Sequence, residues 1–181
     1  MITKSDIENA QREWGDGIVR IASSYRDGGD YVGAAEEHVH SLYGYGLGPV
    51  LFKPTMASEE QFRPTFQSAL SYFVASNNEC PEDSGFAIKG WTEVRFENAG
   101  VIVDGIYAIT MGNYFFTDQR GVETKVEYTL GTFKMRKEGS AFSYTTRQYP
   151  HRPPRAIWLV NRELRVRFLV SEWSPLTARK Q

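Results

Sequence analysis

Three histidines and one cysteine limit the metal and nucleophile chemistry open to this chain. His38 and His40 stand two apart in a stretch that reads as helix. They therefore face different sides and cannot form the i,i+4 pair that holds zinc, although Glu36, Glu37 and His40 could take up an ion adventitiously. With Cys80 alone, neither an intrachain disulfide nor a cysteine-based zinc cluster can form. Gly44, Gly46 and Gly48 match neither a P-loop nor a dinucleotide fingerprint, and no Asp-x-Asp cluster supports a magnesium-dependent hydrolase. No metal and no cofactor is expected. What remains is a supply of hydroxyls and rings. Tyr72 falls at the margin of a predicted helix, where its ring can pack while its hydroxyl reaches a cavity. Tyr114, Tyr128 and Trp91 can line a pocket, although strand aromatics are more often simply core. Thr55, by residue type alone, reads as a cap after Pro54.

The elements that must position these residues follow from periodicity. Ser5-Asp6-Ile7-Glu8 reads as a capping box, and Ile7, Ala10, Trp14, Ile18, Ile21, Ala22 and Tyr25 then recur at helical spacing. Gly15 and Gly17 weaken that helix by about 1 kcal/mol each relative to alanine, so it must depend on packing. Asp30 is the expected N-cap of a second helix that buries Val32, Ala35, Val39 and Leu42. Val50-Leu51-Phe52 reads as extended. Ser58-Glu59-Glu60-Gln61 is a second capping-box pattern, with Pro64 in the first turn of a third helix that buries Phe66, Ala69, Leu70, Phe73 and Val74.

Strand patterns take over from Phe86 to Val103, with a bulge or bend at Asn98-Ala99-Gly100 and a tight turn at Asp104-Gly105. A hairpin then spans Ala108 to Met135 around Asp118-Gln119-Arg120-Gly121. In its first arm Ala108, Thr110, Gly112, Tyr114 and Phe116 share one face. In its second arm Val122, Thr124, Val126, Tyr128 and Leu130 alternate with Glu123, Lys125, Glu127 and Thr129. Three helices followed by a strand meander predict an α+β fold, with N-terminal helices packed on a curved antiparallel sheet and a pocket between them.

At 181 residues, with 41% apolar and 14% aromatic residues, the chain is expected to form one substantial core. No apolar run approaches the roughly 20 residues a bilayer requires, and MITKSDIENAQREW lacks a signal-peptide core, so a cytoplasmic protein is expected. The net charge of −1 conceals an asymmetry. Residues 1–146 carry 13 basic and 20 acidic side chains, whereas residues 147–181 carry 8 and 2. Clustered arginines attract phosphates, but here they interleave with Pro153, Pro154, Trp158 and Leu159 in no recognisable module, so neither a nucleic-acid nor a membrane partner is expected.

Several strings in this order carry a resemblance: Gly48-Pro-Val-Leu-Phe-Lys-Pro-Thr55, Glu59-Glu-Gln-Phe62, Ser68-Ala-Leu-Ser-Tyr-Phe73, Val94-Arg-Phe-Glu-Asn-Ala-Gly100 and Met111-Gly-Asn-Tyr-Phe-Phe-Thr-Asp118. Over roughly residues 5–139 the chain resembles the bacterial single-domain relatives of iota-class carbonic anhydrases. These belong to the nuclear-transport-factor-2-like, cystatin-like cone superfamily, near the calcium/calmodulin-dependent kinase association domains. The resemblance implies a cone-shaped domain over residues 1–140 that binds CO2 and bicarbonate, hydrates CO2 without a metal, and forms a homodimer. It implies catalytic roles for Thr55 and Tyr72, together with a serine and a histidine of a final strand. The alternative is a non-catalytic module of the same fold that binds a small ligand or dimerises.

In that family the final strand carries a His-His-Ser-Ser run. Here Gly131-Thr-Phe-Lys134 and a turn at Lys137-Glu-Gly139 are followed instead by Phe142-Ser-Tyr-Thr-Thr-Arg-Gln-Tyr-Pro150. Shifting the reading frame by two bases within those codons permits Leu/Phe, Leu/Ile/Val, His, His, Ser, Ser, Ile/Val and Pro. The expectation is that the atypical basic tail, from about Ala141 to Gln181, is an out-of-frame translation and that CO2 hydration is impaired. A genuine divergent tail is the competing reading.

Overall fold

A computed structural model describes residues 1–134 of the chain. Helices α1 (Lys4–Arg26), α2 (Tyr31–Leu42) and α3 (Phe66–Val74) precede strands β1 (Trp91–Asp104), β2 (Tyr107–Asp118) and β3 (Glu123–Phe133). The strands form one antiparallel sheet in the order β1-β2-β3. This is the α+β order expected from the sequence. Among the described residues no helix is long and apolar enough to cross a membrane. The segment from Ala141 onward lies outside the described residues.

Helix α1 starts two residues earlier than its sequence signature suggested. Thr3, not Ser5, is the N-cap: its hydroxyl accepts from the Asp6 amide at 3.2 Å, and Asp6 accepts from the Thr3 amide at 2.8 Å. Asp6 also receives Lys134 Nζ at 2.7 Å, which ties this end of the helix to the end of β3. Helix α2 is capped by Asp30 as expected, its carboxylate accepting from the Gly33 amide at 2.8 Å. Helix α3 begins after Thr65, whose hydroxyl accepts from the Ser68 amide, so Pro64 precedes the cap instead of occupying the first turn. The Ser58–Gln61 pattern starts no helix. Its amides have another partner, described below.

The long bent strand begins at Trp91, five residues later than expected; residues 86–90 form turns, and Phe86 and Ala87 donate to the carbonyls of Tyr72 and Phe73 at 2.8 Å each. The bulge lies where the sequence placed it. Asn98 pairs with Gly112 and Gly100 with Met111, leaving Ala99 as the extra residue. A Cβ on Gly112 would lie 2.1 Å from the Glu97 carbonyl oxygen, so only glycine lets the two strands meet at the bend. The inner face of β2 runs Ala108, Thr110, Gly112, Tyr114 and Phe116, as the alternation predicted.

The main core joins Ile18 and Ile21 of α1, Ala35 and Val39 of α2, most of α3, and Phe116 of β2. Gly17 gains its role here. A Cβ at that position would lie 2.1 Å from His38 Nδ1, so the missing side chain lets α2 approach α1 with an imidazole between them. Gly17→Ala therefore sets a helix-propensity gain of about 1 kcal/mol against an overpacking cost of about 1–3 kcal/mol. A net loss of stability is expected in urea unfolding; a gain would show that the His38 ring moves aside without cost.

Candidate active site

The site is built from a loop, a helix and a strand. Thr55 sits on the segment between α2 and α3, immediately after the buried Pro54. Its side chain is exposed and meets the phenol of Tyr114, which β2 holds on its inner face. Tyr72, on α3, is 7% exposed, and its hydroxyl reaches the backbone of Met56, the residue after Thr55. Tyr114 is the next group to influence the Tyr72 phenol after burial itself. Thr55, Tyr72 and Tyr114 thus come together from three separate stretches of chain.

The other two sequence candidates are packed differently. Trp91 donates its indole N–H to the Phe86 carbonyl at 2.8 Å, and its ring lies 5.3 Å from Phe116. Tyr128 brings its ring within 5.3 Å of Tyr114, but its hydroxyl donates to Asn98 Oδ1 at 2.5 Å and accepts from Gln11 Nε2 at 3.1 Å. Both residues form the wall of the ring cluster with their polar atoms already committed. The Gln11–Asn98–Tyr128 network places the bulge residue Asn98 against α1, which explains why a polar side chain is tolerated there.

Burial is the main influence on the phenols. It pushes the Tyr72 hydroxyl far above its ordinary pKa, and raises Tyr114 and Tyr128 with opposition from Thr55 and Gln11 respectively. All three are neutral donors at physiological pH, suited to holding an oxyanion and unsuited to taking a proton. Tyr72 also borders a cavity of about 30 Å³ with Met56, Phe86 and Ser84 and the charged residues Glu82, Asp83 and Lys89. That volume holds about two waters, which is the scale of a triatomic molecule. A larger groove of about 460 Å³ lies near Tyr25, Arg26, Lys89 and Arg120 and contains none of the candidate residues. Arg26 and Arg120 are already paired there with Asp27 and Asp118 at 2.8 and 2.9 Å.

Residue-type reasoning missed the framework that aims Thr55. The Glu82 carboxylate accepts from the amides of Ser58, Glu59 and Glu60 at 2.8, 3.0 and 2.8 Å, and from the Ser58 hydroxyl at 2.9 Å. Those amides hold its pKa at about 2. Arg63, fully buried, pairs with Asp83 at 2.8 Å and with Glu82 at 3.5 Å. The Arg63 amide donates to the Phe52 carbonyl, and the Tyr45 hydroxyl donates to the Arg63 carbonyl, each at 2.8 Å. The loop carrying Thr55 is therefore closed on itself and stapled to the loop after α3. Ser58-Glu59-Glu60 did signal amides in need of a carboxylate, but local reading looked three residues ahead and not to Glu82.

His38 is the buried histidine of this region, 2% exposed among Trp14, Tyr43 and Phe73, with Nε2 unpartnered; His40 is exposed. Among the described residues no group of three or more His, Cys, Asp or Glu side chains could hold a metal ion.

With this geometry in place, comparison with known proteins is direct. A profile of the metal-independent carbonic anhydrase family matches residues 5–143. The chain belongs to that family. It is 43% identical over 131 residues to a metal-independent carbonic anhydrase of Nostoc sp. (strain PCC 7120 / SAG 25.82 / UTEX 2576), an alignment covering 71% of this chain and 64% of that protein. The chain thus spans less than two thirds of the length of that relative. A solved structure, the iota-carbonic anhydrase from a cyanobacterium complexed with bicarbonate, matches with a TM-score of 0.72 and 41% identity, over 74% of this chain and 84% of that one. The fold likeness covers the three helices and the curved open sheet.

His38 provides a pH test of this packing. Burial first, and the Arg20 charge second, lower its pKa from 6.5 to about 4. The unfolded chain therefore binds a proton that the folded chain refuses between pH 6.5 and 4. Stability from this group is complete above pH 6.5 and falls by about 3 kcal/mol as pH drops toward 4. Urea unfolding of the wild type should lose stability across that window, and His38→Leu should lose markedly less. Equal slopes for the two proteins would show that His38 titrates normally.

Proposed function

We propose that this chain is a CO2- and bicarbonate-binding protein of the carbonic anhydrase type, with Thr55 and Tyr72 at the reacting centre and Tyr114 holding Thr55. The observation that carries the reading is the small cavity bordered by Tyr72 and Met56, with Tyr114 acting on the Tyr72 phenol and Thr55 on that of Tyr114. The bicarbonate in the matching cyanobacterial structure supports the same ligand class. In this reading the hydroxyls orient a water against CO2 and donate hydrogen bonds to the oxygens on which charge develops. Neutral phenols cannot accept the proton that the water must lose, so hydration needs a base.

The sequence resemblance assigns that base to the final His-His-Ser-Ser strand, which has no counterpart between Phe142 and Pro150. The family match ends at residue 143, close to where the frame is proposed to break. We therefore propose that hydration is impaired in this translation. The second reading, ligand binding without turnover, is favoured by the phenols Tyr72 and Tyr114, which burial keeps protonated.

The nucleotide sequence tests the frame directly, since a two-base shift encoding no His-His-Ser-Ser run would end that proposal. Stopped-flow CO2 hydration then separates the readings. The chain with its frame restored should be active and the present chain much slower. In the restored chain Thr55→Ala and Tyr72→Phe should each lower kcat/KM roughly 10- to 100-fold. Full activity in both variants would remove the site assignment; inactivity of the restored chain would favour the binding module.

A homodimer is proposed through the outer face of the sheet. Ile102 and Ile109 are paired neighbours there, with Met111 alongside, and they are 70%, 54% and 56% exposed. Contiguous apolar side chains on a sheet face mark an interaction surface. Light scattering of the full chain should give twice the chain mass, and Ile109→Lys should shift it toward the monomer. A monomeric wild type would reject the dimer.

A further inference from the structure

Lys89 borders both the cavity of about 30 Å³ at Tyr72 and the groove of about 460 Å³ that runs past Tyr25 and Arg120. It stands on the turn between α3 and β1, and that turn is fastened to Tyr72 twice. The Phe86 amide donates to the Tyr72 carbonyl at 2.8 Å, and the Phe86 ring stacks on the Tyr72 ring at 5.5 Å. On the other side of Lys89, Gly90 turns the chain at a φ of +81°, a conformation that favours glycine. Trp91 then returns its indole N–H to the Phe86 carbonyl at 2.8 Å. The backbone of Lys89 is therefore held between cavity and groove, while its side chain is exposed.

The carboxylates beside the cavity have partners already. Glu82 accepts from the amides of Ser58, Glu59 and Glu60, and Arg63 faces both Glu82 and Asp83. Lys89, by contrast, takes part in no ion pair or hydrogen bond among the described residues. A bicarbonate entering the cavity would meet two carboxylates, and Lys89 is the cation among the residues that border it. The groove carries the same sign. Residues 1–134 hold 11 basic and 19 acidic side chains, yet the groove gathers Arg26, Lys89 and Arg120 against Asp118 alone. Each of the two arginines engages its aspartate through Nε and Nη2, which leaves Nη1 outside the pair. A cleft lined by one sign of charge concentrates small ions of the other.

We infer that Lys89 is an anion-binding residue of the site, its ammonium holding the charged oxygens of bicarbonate at the rim of the Tyr72 cavity, with the groove as the path by which the anion arrives. This rests on the CO2/bicarbonate reading and extends it. Uncharged CO2 gains little from such a cation, so Lys89 acts on the anion and not on the gas. A lysine suits this place, because its compact charge sits on a flexible stem that can follow the anion from groove to cavity.

Titration of ¹³C-labelled bicarbonate into the full chain, read by NMR at mildly alkaline pH where the anion dominates, tests this without requiring turnover. Lys89→Gln should weaken binding roughly 5- to 20-fold and flatten its dependence on sodium chloride. Lys89→Arg keeps the charge and should stay within about twofold of the wild type. Lys4→Gln makes the same charge change at the opposite end of α1, about 30 Å along the helix from Arg26, and should bind as the wild type does. Saturable binding that Lys89→Gln weakens no more than Lys4→Gln overturns the role of Lys89 and leaves the site reading standing. An arginine variant as weak as the glutamine variant also overturns it, because the site would then depend on the shape of the side chain and not on its charge. Absence of saturable binding to the wild type overturns that reading and this inference together.

Discussion

The guanidinium of Arg63 is the constraint on which the site depends. A cation removed from water must be matched by charge and hydrogen bonds, or the fold loses several kcal/mol. Asp83 and Glu82 supply the opposite charge, both at Nη2 while Nε and Nη1 have no hydrogen-bond partner among the described residues, and both come from the loop that follows α3. Satisfying one buried charge therefore locks two irregular segments together. One carries Thr55 and Met56, and the other leads into Phe86, which stacks on Tyr72 at 5.5 Å. Glu82 adds the second fastening by collecting three backbone amides that no helix would otherwise use. The loop holds its shape through polar bonds to distant residues, not through regular secondary structure of its own.

Around that lock the rings set the shape of the interior. Trp14 touches Phe96, Tyr114 and Phe116 edge-on, so α1 lies across the inner face of both β1 and β2. The bulge at Ala99 and the bare backbone of Gly112 let the sheet bend around this cluster. Gly17 performs the same service on the helical side by admitting His38 between α1 and α2. The curvature of the sheet and the closeness of the helices both come from side chains that are absent. The result is a dry, aromatic interior into which a few hydroxyls project, and burial keeps them neutral.

Neutral hydroxyls divide the chemistry of CO2 hydration into two parts. Orientation and oxyanion stabilisation need donors, which the described domain supplies. Proton removal needs a base, which the family resemblance assigns to a strand that this sequence replaces with other residues after position 141. In the proposed function, binding and turnover are therefore separable properties of this chain. A domain can keep its ligand site while lacking the group that makes the ligand react.

Periodicity by itself determined the class of fold: helices α1 and α2, the hairpin register, the bulge at Asn98–Gly100 and the alternating faces of β2 are local patterns enforced by repeats of 3.6 and 2 residues. Family strings in the sequence, not periodicity, pointed to Thr55 and Tyr72. Local rules failed where a partner was distant. Thr3 displaced Ser5 as the cap because Lys134 and Thr3 share Asp6. The Ser58–Glu60 amides turned to Glu82, and Arg63 was an ordinary cation until the fold buried it. Tyr72 and Tyr114 could each have been core rings. Only tertiary structure decided that they come within reach of each other and of the Thr55 loop, because side-chain proximity across separate elements depends on how the helices cross the sheet, and no spacing along one element encodes that.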